Sequence, residues 1–232
     1  MRRGHLASVS VAGAILIGLA TGCTSNQQTT VPANELNVQI AISDPLVTSL
    51  GVSENSIGIN VTIFEDLSYS QARTASSAGD AFACDGSSLA LDGSLQYSFV
   101  GRIPGAQAHA DQTCTYTHDG KVSKFSFATP ERPDILAPLM NARVSAAQNL
   151  TVQFTPSLTA PTVIGIDGKL VMTLAQQIGE AIIPTGVWHQ FLISSLSNLS
   201  VSQTSLLTPT SDFNDLEIEY TSSTVISVTV SW

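Results

Sequence analysis

A chain of 232 residues with 43% hydrophobic content is long enough for one large or two ordinary domains and too apolar for general disorder. Nine basic residues against 18 acidic ones leave a formal net charge of −9, which argues against nucleic acid or anionic lipid headgroups as electrostatic partners. Charged residues make up only 12% of the chain, and the abundance of Ser, Thr and Val favours strands over helices.

The first predicted element is an export signal. Met1-Arg2-Arg3-Gly4-His5 is cationic, and Leu6 to Ala20 carries no charge, the order of a secretory signal peptide. The apolar run is shorter than the ~20 residues of a membrane span. Leu19-Ala20-Thr21-Gly22-Cys23 resembles the lipobox of bacterial lipoproteins, with Ala20 where that family usually has leucine. The resemblance implies cleavage by signal peptidase II between Gly22 and Cys23, leaving residues 1–22 as the signal peptide. It also implies a diacylglyceryl thioether on Cys23 and a fatty acyl group such as palmitate on its amine. Two or more acyl chains hold a protein stably on a bilayer, where one does so only marginally. Residues 23–35 are then the lipidated cysteine and a polar tether. Thr24, and not aspartate, follows the cysteine, so the inner-membrane retention signal of Gram-negative lipoproteins is absent. The expected location is the cell membrane or outer membrane, facing the periplasm or exterior. Losing Arg2 and Arg3 takes the mature net charge to −11.

Beyond the tether, period-two alternation dominates. Leu36–Ser43, Ile57–Ile63, Leu95–Phe99, Phe125–Phe127, Leu150–Phe154, Leu216–Tyr220 and Ile226–Trp232 each put apolar side chains on one face, as in antiparallel sheets with one wet side. Asp85-Gly86, Asp92-Gly93, Asp119-Gly120 and Asp167-Gly168 supply turns, because both residue types tolerate positive φ. Helical signal is thin: an amphipathic turn or two within Lys169–Ala181, whose Leu170, Met172 and Leu174 also alternate, and one turn at Ile193–Leu199. Trp188 falls in an apolar strand-like run and is expected in the core. The fold class is all-β. Pro130 and Pro133 mark a boundary, giving a first β-sandwich over 36–130 and a second over 131–232, each of immunoglobulin-domain size. Pro133–Pro138, Val144 and Leu150–Pro156 are similar to the opening strands of a fibronectin type III or related immunoglobulin-like domain, with Phe154 where such domains commonly place tryptophan. Gly79-Asp80, Cys84-Asp85-Gly86 and Cys114-Thr115-Tyr116 resemble repeats of uncharacterised bacterial surface proteins, a family that offers no catalytic residues to carry over.

With Cys23 lipidated, Cys84 and Cys114 are an even pair in an oxidising compartment and are expected to form a disulfide. His109, Asp111 and His118 are the one set with a metal-ligating look, but HxD pairs arise often by chance and no cysteine is free to join them. His189 reads as a strand histidine satisfied by hydrogen bonds. Glu217 and Glu219 alternate with Leu216, Ile218 and Tyr220, so they read as the wet face of a strand and not as a glycosidase pair. No catalytic residue, metal ion or cofactor is assigned. The expected function is therefore a non-enzymatic, lipid-anchored envelope protein that binds or spaces something, held to the membrane through Cys23 and partnered by an envelope protein or glycan. A carbohydrate-binding or adhesive module is the first rival, and an envelope hydrolase with a dispersed active site the second.

Overall fold

Where they are described, the alternating runs form strands in the computed structural model, which describes residues 36–49, 52–64, 80–91, 98–104, 110–118, 120–157, 159–191 and 195–232; Leu95, Gln96 and Tyr97 of the third run lie outside these residues. Within these residues lie β1 (Asn37–Ser49), β2 (Val52–Phe64), β3 (Ala81–Cys84), β4 (Ser87–Leu91), β5 (Ser98–Pro104), β6 (Asp111–His118), β7 (Lys121–Ala128) and β8 (Ile135–Ala137). Then come β9 (Arg143–Ser145), β10 (Leu150–Phe154), β11 (Thr162–Ile166), β12 (Lys169–Leu174), β13 (Glu180–Ile183), β14 (Leu196–Leu207), β15 (Thr210–Ser211) and β16 (Asp215–Ser231). The fold is all-β, as its composition implied. Among the described residues, helix is confined to α1 (Thr185–Trp188) and a following 3-10 turn, His189–Phe191.

Two of the Asp-Gly pairs make tight hairpins. Asp85 and Gly86 have φ of 46° and 77° between β3 and β4, and Asp167 and Gly168 have 49° and 76° between β11 and β12. Positive φ at both central residues matches the right-handed twist of the flanking strands. Gly120 also has positive φ, while Asp92-Gly93 and Asp119 lie outside the described residues.

Two hydrophobic cores form. In the first, β16–β1–β2–β5 make one layer and β4–β3–β6–β7–β15 the other, with β4 paired to both β3 and β5. Ring contacts cross between the layers: Phe82 to Phe99 at 5.9 Å, Phe99 to Tyr116 at 6.2 Å and Phe127 to Tyr220 at 6.2 Å. In the second, the three-stranded sheet β8–β10–β13 faces β12–β11–β14–β16, with β9 added parallel to β16. Val152, Phe154 and Ile183 meet Ile164, Val201 and Val228 there, the two-layer arrangement of an immunoglobulin-type sandwich.

The chain's last strand belongs to both cores. β16 pairs parallel with β1 from Asn37↔Asp215 to Thr48↔Ile226, and antiparallel with β14 from Leu207↔Ile218 to Leu196↔Thr229. Phe213, Leu216, Ile218 and Tyr220 pack in the first core, whereas Ile226, Val228 and Val230 pack in the second. The expected boundary at 130/131 therefore needs correcting at the far end of the chain. Residues from Thr210 to Tyr220 complete the first sandwich although they follow most of the second. The physical reason is that Val38, Ile40 and Ile42 of β1 would otherwise leave one ladder edge of the first core without a neighbour.

Three local expectations also change. Leu196–Leu199 is strand, not helix, because Leu199 must alternate inward beside Val201. Lys169–Ala181 contains β12 and the start of β13 and no helix, its strands bonded to β11 and β10. Trp188 is core, at 1% exposure, but it is reached from α1 and not from a strand.

Candidate functional site

Gly22, Cys23 and His109 lie outside the described residues. Cys84 and Cys114 stand directly opposite each other on β3 and β6 and are bonded, as expected, with both side chains buried in the first core. Asp111 and His118 are at opposite ends of β6 and on opposite faces, Asp111 exposed and His118 buried. Seven residues of strand separate them by ~23 Å, so the two cannot share a metal ion. His189 is exposed and sits edge-on to Trp232, ring centroids 5.2 Å apart. It is not on a strand, because Pro184 introduces the helical turn.

Two buried polar clusters were not legible beforehand. In the first, Asp80 directly precedes β3, at the end of that strand away from Cys84 and beside the His118 end of β6, its side chain 1% exposed. Its Oδ1 lies 2.6 Å from His118 Nδ1, and its Oδ2 accepts the Tyr116 hydroxyl at 3.0 Å. A histidine held by a carboxylate is half of a nucleophile-activating device. Here, however, the imidazole is packed inside the first sandwich and stacks against Tyr116, which suits a structural network.

The second cluster ties the connector between β7 and β8, residues 129–134, to the first body. Asp44 on β1 is fully buried, bonded to Arg132 of the connector and accepting the Tyr220 hydroxyl of β16 at 2.7 Å. Burial first, then the hydrogen bond to Asp44 and its charge, hold the Tyr220 hydroxyl well above the ordinary tyrosine range, and Arg132 pulls back against them. Between the two cores the inward face of β16 turns polar at Ser222 and Thr224. Ser222 donates to the Glu131 carbonyl at 3.3 Å, so the connector is held along its length.

A concave surface lies on the solvent side of the first body. In-register pairs on one sheet face lie side by side, so the pairings of β16, β1, β2 and β5 set out rows. One row is Thr221, Ser43, Gly58 and Arg102; the next is Glu219, Ala41, Asn60 and Val100; the third is Glu217, Gln39, Thr62 and Ser98. The middle strands carry Ala41, Ser43 and Gly58, so the backbone itself forms a floor between taller walls on β16 and β5. The result is a trough of ≈ 470 Å³, adjoined by a second hollow of ≈ 170 Å³ that Glu217 and Thr62 line. Three strand spacings put its walls ~14 Å apart. Ser98 Oγ donates to Asn60 Oδ1 at 2.5 Å and to the Val61 carbonyl at 3.2 Å, fixing the floor's lower end. Glu217 and Glu219 are thus on the wet face of a strand, as expected, and they also form one wall of this trough.

The chain matches no protein-family model and no curated protein sequence. Among solved structures it is similar to fibronectin(III)-like modules of Clostridium thermocellum CbhA, at 16% identity over 38% of this chain and 94% of that one, TM-score 0.26. It is also similar to a chimeric titin Z1Z2–Z1Z2 tandem, at 12% identity over 84% and 97% of the two chains, TM-score 0.27. A third is the IG1+IG2 pair of DIP-gamma, at 9% identity over 84% and 98%, TM-score 0.21. At these scores the architecture rests on the pairings described above.

Proposed function

We propose that the chain is a non-enzymatic envelope lipoprotein, anchored through lipid on Cys23, that holds a binding surface at a set distance from the bilayer. One observation carries the spacing part of this reading. β1 and β16 run parallel and in register from Asn37↔Asp215, so β1, the first strand after the lipobox-like segment in sequence, starts at the end of the molecule where β16 begins. β16 then runs 17 residues without a break through both cores, ~53 Å at strand rise. A continuous strand with ladder partners on both sides resists bending far better than a flexible linker. The second sandwich is therefore the end held away from the membrane. The lipobox-like residues 19–23 support the anchor, and the buried Cys84–Cys114 bond fits an exported chain. The partner facing the module is an envelope protein or glycan.

Two measurements test this. Cys23→Ser is expected to abolish incorporation of labelled fatty acid and release the protein from membranes; unchanged labelling would sink the anchor. On vesicles carrying a lipid acceptor dye, a donor at Asn214→Cys is expected to transfer efficiently and one at Ser145→Cys, beside Ser231, only weakly. Equal transfer from the two sites would refute the spacer geometry.

A further inference from the structure

The trough on β16–β1–β2–β5 is acidic along its β16 wall, at Glu217 and Glu219, and carries Arg102 on the facing β5 wall ~14 Å away, so a cation is favoured only where it lies along β16. Glu217 and Glu219 project from the same face of one strand, two residues apart, hence ~7 Å apart along it. An extended polypeptide lying parallel to β16 repeats its own side chains at that same interval. Leu206 stands opposite Glu219 on β14 and is 69% exposed. An apolar side chain beside a carboxylate matches lysine and arginine, whose aliphatic stems cover apolar surface while their charged ends reach outward. The floor of Ala41, Ser43 and Gly58 lets a main chain approach closely, and none of the described residues lining the trough is an aromatic platform for sugar rings. The mature chain's excess of acidic over basic residues adds long-range attraction for a cationic partner.

We propose that this trough binds an extended polypeptide segment carrying lysine or arginine at alternate positions, laid parallel to β16 with two of its cations on Glu217 and Glu219. The proposal rests on the binding-module reading and names its ligand class; the anchor and the spacer geometry have their own readouts and would survive its failure.

The test uses the full chain in detergent and fluorescence anisotropy of a labelled acetyl-(Lys-Thr)4-amide peptide, with (Glu-Thr)4 and soluble cell-wall glycan fragments as comparison probes. Binding of the lysine peptide at least 10-fold tighter than the glutamate peptide is expected. Glu219→Gln should weaken it about 10-fold or more, whereas Glu180→Gln, the same charge change on the second body, should alter it less than about 2-fold. Gly58→Leu fills the floor: a Cβ there meets nothing nearer than the Ser43 carbonyl oxygen at 3.7 Å, so melting temperature should hold while binding is lost. No binding of the lysine peptide, or equal losses in Glu219→Gln and Glu180→Gln, would overturn the proposal. So would retained binding in a folded Gly58→Leu variant, or glycan fragments binding in place of the peptide and weakening in the same variants.

Discussion

Replacing Ile218 by alanine tests whether the two sandwiches behave as one unit. Ile218 is fully buried in the first core, on β16, between Ile40 of β1 and Leu207 of β14. Removing three carbons forfeits ~2.4 kcal/mol of transfer free energy at ~0.8 kcal/mol each. The cavity left in a strand held on both sides raises the cost to ~3–4 kcal/mol, within the range for buried Ile→Ala changes. With a urea slope of ~2 kcal/mol/M, the midpoint should fall by ~1.5–2 M. The assay needs one reporter per core. Trp188 emission, in a Trp232→Phe background, reports the second core, where Trp188 is buried and donates its indole N–H to the Gln148 carbonyl at 2.9 Å. The rate at which dithiothreitol reduces the buried Cys84–Cys114 bond reports the first. Because β16 is common to both ladders, both reporters should shift together, although Ile218 touches only the first core. A Trp188 midpoint that stays put while disulfide reduction accelerates would refute the shared-strand argument and make the two bodies independent beads.

Arg132→Ala should destabilise the protein by ~3 kcal/mol, since it leaves the fully buried Asp44 carboxylate without its cation and beside the Tyr220 hydroxyl that donates to it. Adding Asp44→Asn to that variant should recover part of the loss in the same urea titration, and a neutral Arg132→Ala would refute the connector lock. The raised Tyr220 hydroxyl makes a signed prediction at alkaline pH. Below ~10 tyrosine is neutral folded and unfolded; above it only the unfolded chain releases this proton, so stability falls as pH rises, by up to ~1.4 kcal/mol per pH unit. Tyr220→Phe should flatten that decline between about pH 10 and 11.5, and an unchanged slope would contradict it. Replacing Cys84 and Cys114 together by serine should cost ~3–4 kcal/mol, the chain-entropy value for a bridge across 30 residues; a change below ~1 kcal/mol would show that the unfolded chain is not constrained in that way.

What could be read beforehand was whatever depends on near neighbours in sequence. Alternation in Leu36–Ser43, Ile57–Ile63 and Leu150–Phe154 identified strands because one buried face imposes a two-residue period, and Asp85-Gly86 and Asp167-Gly168 were turns because of their own backbone freedom. Trp188 was recognisably core, yet its helical turn was missed, since a Pro184 start and four residues leave no period to detect. Of the candidate site, Glu217 and Glu219 were seen only as wet strand residues. Their role as a trough wall needs Ala41 and Gly58 beside them, brought in from more than 150 positions away.

By itself, then, the sequence determined an all-β class, its main turns, the Cys84–Cys114 pair and the lipobox-like motif that points to Cys23. Tertiary structure alone decided where the last strand goes. Leu216–Tyr220 and Ile226–Trp232 read as two separate runs because Thr221-Ser222-Ser223-Thr224 interrupts the apolar pattern. In the fold that polar stretch is the passage between the cores, its inward Ser222 bonded to the connector, and the strand continues through it. Polar residues on a buried face look like a strand end to any local rule. Only a partner from elsewhere in the chain, here the connector beside β16, makes them compatible with an unbroken strand.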